Sequence, residues 1–211
     1  EESLKHDPEA ALAGFRGFNR WLAEDWGFAY QGRIFGAPYF WLVDVDAAVK
    51  ELDWALAQGA RLVCMRAGPI AHPHGSRSPA DRSFDPFWAR LDEAGVTLAY
   101  HSADNGYNKF ANEWGVGGEF KSFDYDPLRA CLSARPIQDT LAALVCHGLS
   151  DRFPRLRVAT IESGSEWVAP LLAKLKKAYG QLPMLFRSDP VEQLRAHVWL
   201  PPYYTHDLQP L

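Results

Sequence analysis

Val96-Thr97-Leu98-Ala99-Tyr100-His101-Ser102-Ala103-Asp104 is the stretch that decides how this chain is read. An apolar run ends at a histidine and opens into polar, glycine-bearing sequence. That is the pattern of a buried parallel strand delivering His101 to the rim of a sheet. In α/β proteins, ligands and catalytic groups gather at the carboxyl ends of such strands. A histidine that merely ties down a loop leaves the same trace, so the rest of the chain has to discriminate.

Outward from this strand the chain alternates. Residues 33–43 are apolar and aromatic and read as a strand with its following loop. Asp46 is placed to cap a helix over 47–58, where Val49, Leu52 and Leu56 make a helical stripe and Gly59 ends it. Residues 61–66 form the next strand, followed by a Gly/Pro/His/Ser-rich loop from Gly68 to about Arg82. A helix is expected over 85–94, with Pro86 in its first turn and Gly95 after its end. The His101 strand follows, then a long glycine- and aromatic-rich loop to about Asp126. Residues 136–147 read as an apolar helix ended by Gly148, and 157–161 as a short buried strand. Ser163 and Glu166 stand at capping-box spacing, so a helix is expected from there to about residue 179. A last strand is expected over 196–200.

Five strands separated by helices predict a parallel sheet. A doubly wound sheet and a TIM barrel share this alternation. No Gly-x-Gly-x-x-Gly follows an early strand, which lowers the dinucleotide-binding version.

Composition narrows the function classes. Of 211 residues, 47% are apolar and 23% charged, with 22 basic against 26 acidic side chains and a net charge of −4. No basic run suggests nucleic acid. No apolar run is long enough to span a bilayer, and no signal peptide is visible. The eight tryptophans favour an aromatic-lined interior. Cys64, Cys131 and Cys146 are odd in number and widely spaced. They suggest neither a disulfide framework nor a thiolate zinc site, and Cys64 and Cys146 read as small core residues. A reducing, cytoplasmic setting is expected.

Three stretches carry a family resemblance. The first is Asp85-Pro86-Phe87-Trp88-Ala89-Arg90 leading to the His101 strand. The second is Gly148-Leu149-Ser150-Asp151-Arg152-Phe153-Pro154-Arg155-Leu156-Arg157. The third is Ile161-Glu162-Ser163-Gly164 followed by Trp167. From about residue 18 to 207 the chain resembles the amidohydrolase superfamily, in the branch that includes aminocarboxymuconate-semialdehyde decarboxylase. The resemblance implies an α/β fold, a (β/α)8 TIM barrel of the metal-dependent hydrolase type. The barrel is incomplete in one domain over 1–211, with about strands three to seven present. The chain begins without methionine. The family's first-strand His-x-His pair and eighth-strand aspartate have no counterpart here. The chain alone is therefore expected to be inactive and its intact parent active. The Arg-Phe-Pro-x-Leu-Arg segment is the most specific piece of the match. Its physical reading is a helix-to-strand connector with Phe153 and Leu156 docked in the core.

The resemblance also implies one divalent metal, zinc, at the barrel mouth, with His101 as a ligand. A metal-activated water would then attack an amide, ester or lactone of a small-molecule substrate. The alternatives are non-hydrolytic decarboxylation on the same scaffold, or a non-catalytic binding module. Glu162 stands where many relatives carry histidine. As a catalytic residue its carboxylate would ligate metal, accept a proton or pair with a cation; the structural alternative is helix capping or a buried ion pair. Asp104, Asn105 and Tyr107 follow His101 on the mouth loop and are expected to meet substrate, with Trp114 and Phe120 as an apolar wall. His72 and His74 form a His-x-His in a Pro/Gly loop. A solvated loop is their simple reading and substrate contact their functional one. His147 is expected to cap a helix C-terminus. His197 sits at a strand start, on the side that serves stability. Neither nucleic acid nor membrane is an expected partner, and a homo-oligomer is compatible with the sequence.

Overall fold

The computed structural model describes residue 1 and residues 4–103, 106–116 and 126–201. Among these, β1 (Leu62–Arg66), β2 (Thr97–His101), β3 (Arg157–Ile161) and β4 (Val198–Trp199) pair in parallel, side by side in chain order. The first three lie within a residue of their expected bounds. Sequential parallel order with helical crossovers is the local plan of a β/α barrel and excludes the broken order of a dinucleotide-binding sheet.

The expected strand at 33–43 is much shorter in the structure. Only Tyr39 bridges to β1: the Phe40 amide donates to Cys64 O (2.9 Å) and the Cys64 amide to Pro38 O (2.8 Å). The reason is Asn19, fully buried on α1 (Pro8–Asp25). Its side chain accepts from the Tyr39 amide (2.7 Å) and donates to Tyr39 O (3.1 Å). A side-chain amide thus takes both main-chain groups that a further strand would pair. Asn19 also donates to Glu51, which is held by Arg20 at 2.8 Å, and this joins α1 to α2 (Val45–Ala57).

Glycines and caps set most other boundaries. Asp44 caps α2, accepting from the Ala47 amide at 2.9 Å; the expected cap, Asp46, lies inside the first turn. Gly95, at φ +64°, closes α3 (Asp85–Ala94) as expected. α6 (Arg135–Cys146) follows α4 (Asn108–Glu113) and α5 (Pro127–Leu132). His147 is its C-cap, with Nδ1 2.7 Å from Ser78 Oγ. The last strand is shortened because α9 (Pro190–His197) persists to His197, whose ring donates to Leu156 O at 2.8 Å.

The connector into β3 is structural, as its residues suggested. After α7 (Leu149–Arg152), Leu156 is buried and Phe153 packs on the core. Arg152 donates to Asp85 and to the carbonyls of Ala80, His147 and Gly148. Asp92 of α3 accepts from the Arg155 amide at 2.6 Å.

The sheet has two unlike faces, as alternation along a strand requires. Val63, Met65, Leu98, Tyr100, Val158 and Thr160 are almost wholly buried. Their apolar members join one core with Leu52 of α2, Trp88 and Leu91 of α3, Leu141 of α6, and Leu171 of α8 (Val168–Gln181). The opposite face carries Cys64, Arg66, Thr97, Ala99, His101, Ala159 and Ile161. Two compositional expectations are corrected here. Trp41, Trp88 and Trp167 are buried, but Trp21, Trp26, Trp114 and Trp199 are exposed. Cys64 is half-buried, and Cys146, at the solvent end of α6, is exposed. No helix among the described residues is long and apolar enough to cross a membrane.

Candidate active site

His101 is the last residue of β2, and its register partner on β3 is Ile161. By alternation the next residue, Glu162, should point toward the helices. It does not, because its backbone is left-handed, at φ +52°. That breaks the pleat and turns the Glu162 side chain to the His101 side. The left-handed region costs a non-glycine residue about 1–2 kcal/mol, so the surroundings must hold it. They do so through the following loop. The Ser163 hydroxyl donates to Ile161 O (3.1 Å), and the Trp167 indole donates to Ser163 O and Gly164 O (both 3.1 Å). This loop replaces the expected capping box. Gly164 is also left-handed, Glu166 turns to the Ser165 amide (3.1 Å), and α8 begins only at Val168.

His101 Nε2 lies 3.4 Å from Glu162 Oε2, with both side chains about half exposed. His101 Nδ1 is 2.6 Å from Ser102 O. A carbonyl only accepts, so Nδ1 carries the proton and donates. In the neutral ring Nε2 then presents its lone pair to a carboxylate. Two acceptors at this separation call for a cation: a proton on Nε2, or a metal ion. Zinc–ligand distances of about 2.0–2.2 Å and a tetrahedral angle place two donors about 3.4 Å apart. That separation is compatible with a shared divalent ion, and the Ser102 carbonyl fixes the tautomer and orientation of the His101 ring. Among the described residues no group of three or more His, Cys, Asp or Glu could hold a metal.

Arg66 stands on the other side of His101, as its register partner on β1. This buried guanidinium engages the Glu1 carboxylate through Nε and Pro69 O through Nη2 (3.0 Å). The second Glu1 oxygen accepts from Tyr39 OH at 2.7 Å. Burial pushes the Glu1 carboxyl up, while Arg66 and the Tyr39 hydroxyl pull it back. Neither Arg66 nor Glu1 stands out in the sequence as a site residue. Arg66 ends an apolar strand as His101 does, and that was the available signal.

The other expected site residues are dispersed. The His74 amide donates to His72 Nδ1 (3.2 Å) and the two rings lie 5.5 Å apart, but no hydrogen bond or ion pair among the described residues joins them to His101 or Glu162. Tyr107 donates to Asp139 of α6 (3.0 Å). Trp114 is 76% exposed, so it forms no wall. Asp104, Asn105 and Phe120 lie outside the described residues.

A sequential parallel sheet with polar groups at its carboxyl rim defines an α/β protein whose strand order is consistent with a β/α barrel. More specifically, the chain belongs to the amidohydrolase family, whose model matches residues 5–207. It is similar to an amidohydrolase from Mycobacterium avium subsp. paratuberculosis K-10, with 47% identity and a TM-score of 0.91 over 99% of this chain and 52% of that one. It shares its fold with a 2,6-dihydroxybenzoate decarboxylase from Rhizobium (18% identity, TM-score 0.68, 92% of this chain and 59% of that one). It also shares it with a manganese-bound 5-carboxyvanillate decarboxylase from Novosphingobium aromaticivorans (18%, 0.68, 92% and 54%). The chain spans about half the length of these structures. No curated protein matches it.

Proposed function

We propose that this chain contributes the central rim of a metal-dependent carboxy-lyase that acts on a small carboxylated substrate. The observation that carries the reading is the His101–Glu162 pair, 3.4 Å apart at the ends of adjacent strands. His101 would hold a divalent metal through Nε2, with Glu162 beside it as a second ligand or as the proton-transferring group. Zinc suits the donor set, and manganese is the ion in two decarboxylases of this fold. Two donors are fewer than the three protein ligands that a catalytic zinc takes, and the chain spans about half of the relatives' length, so the chain alone is expected to be inactive. The whole of 1–211 reads as one partial barrel domain.

When bound, the ion would act as a Lewis acid that orients an oxygen-bearing substrate. This chain's own residues supply position and protons. Ser102 O fixes the His101 ring. Glu162 would pass a proton to the ring carbon bearing the carboxylate. The carbon–carbon bond then breaks, its electron pair returns to the ring, and carbon dioxide leaves. Solvent reprotonates Glu162.

A second reading, hydrolysis of an amide, ester or lactone, is favoured by the 47% identical relative described as an amidohydrolase. There Glu162 would take the proton of the attacking water. Carbon dioxide release by the full-length protein from 2,6-dihydroxybenzoate, 5-carboxyvanillate and related carboxylated aromatics tests the first reading. Turnover of lactones or amides without such release replaces it with the second.

A further inference from the structure

We infer that Tyr39 and Arg66 form a carboxylate cradle beside His101, that the substrate's carboxylate enters it, and that Glu1 fills it in the resting chain. This rests on the carboxy-lyase reading above and names the group that would select its substrate.

The cradle is built from two elements. Arg66 ends β1 on the same face as His101 and in register with it, so their backbones lie one strand spacing apart, about 4.8 Å. Arg66 is 3% exposed, and the bond from its guanidinium to Pro69 O fixes the plane of that group. Tyr39 is held independently, by Asn19 on both main-chain groups and by its ring against Phe15 at 4.8 Å. The two donors are therefore aimed before any carboxylate arrives. What they hold is a carboxylate, one oxygen each. A guanidinium and a hydroxyl converging in a buried setting recognise that group through strong, charge-assisted hydrogen bonds.

Glu1 is a poor permanent tenant. Its side chain is 2% exposed, and its burial works against its ionised form. A buried ion pair gains little net stability from such an arrangement. A substrate carboxylate that brings an aromatic ring to His101 makes the same two contacts and adds its own. Glu1 therefore competes with substrate, and this competition separates the cradle from a structural ion pair.

The test uses the full-length protein, with calorimetric binding of 2,6-dihydroxybenzoate and of its neutral amide. Glu1→Gln should tighten the carboxylate by roughly three- to tenfold and leave the amide unchanged. Arg66→Gln should weaken the carboxylate at least about tenfold, and Tyr39→Phe by a few-fold, again without moving the amide. If Arg66→Gln fails to fold, Glu1→Gln and Tyr39→Phe decide the matter. Unchanged or weaker carboxylate binding in Glu1→Gln overturns the proposal, as do parallel shifts of acid and amide in the Arg66 or Tyr39 variant. Selective carboxylate binding without carbon dioxide release keeps the cradle and removes the carboxy-lyase reading. Carbon dioxide release with a KM indifferent to Glu1 and Arg66 does the reverse.

Discussion

Glu162 reaches His101 only because its backbone sits at φ +52°; an extended residue at the same position would send its carboxylate toward the helices. The pair is thus a product of main-chain geometry as much as of side-chain identity. It ties the proposed chemistry to a position where L-residues are disfavoured.

That relationship sets stability against activity. Glu162→Gly should relieve the left-handed backbone and stabilise the protein by about 1 kcal/mol, or roughly 2–4 °C in Tm. Glu162→Ala keeps the strain and should give no such gain. Both should lose turnover. Calorimetric melting with activity assays checks this, and equal Tm shifts for the two variants would count against strain at this residue.

His101→Ala in the full-length protein should lower metal content and turnover together. The affinity loss should exceed the ~10–100-fold typical of removing a ligand's supporting partner. Elemental analysis of the wild type and variant after identical purification is the measurement. Equal occupancy removes His101 as a ligand.

Thiol reactivity should separate the three cysteines. Burial pushes the Cys64 thiol up to about 11, and the thiolate is the nucleophile. At pH 8, three pH units below, about one Cys64 thiol in a thousand is ionised. Iodoacetamide should therefore label the exposed Cys131 and Cys146 first, and Cys64 only as the pH nears 11. The stability linkage has the same sign. The unfolded thiol ionises from about pH 9 while the folded one holds its proton, so the Cys64 contribution is present below pH 9 and lost as the pH rises to about 11. Mass spectrometry of labelled peptides gives the order.

Arg152→Met should damage the fold and spare the site. The arginine holds Asp85 and three carbonyls from a side chain only 13% exposed. Leaving those acceptors without a donor should cost about 2–4 kcal/mol, or roughly 5–15 °C in Tm. Metal content per folded molecule should be unchanged. A selective loss of metal would place Arg152 in the site.

The parts legible in the sequence were those fixed by short-range physics. β1, β2 and β3 announced themselves as apolar runs, and Gly95 and Gly148 marked turns that need a left-handed residue. The parts that were not legible depend on partners distant in sequence. Asn19 consumes the main chain of Tyr39 and shortens an apparent strand. His197 finds Leu156 O, forty-one residues away, and its helix displaces the start of β4. The capping-box spacing of Ser163 and Glu166 was real, but two left-handed residues between Ile161 and Ser165 delay the helix beyond it. At the site, the apolar run ending in His101 and the strand-end position of Glu162 were visible one by one. Glu1 was not, because its only link to Arg66 is through space.

The layer beneath the rim suggests how the protein's selectivity would respond to redesign. Cys64, Ala99 and Ala159 are register neighbours across three strands, on the same face as Arg66 and His101 and two residues deeper. Three such small side chains form a floor whose height is adjustable. Enlarging Ala99 or Ala159 to valine or leucine would raise that floor by a methyl or two at a time. The helix-covered face, where the stability of the sheet resides, would go untouched. The depth of the rim site and the strength of the fold therefore lie on opposite sides of the same three strands and can be tuned separately.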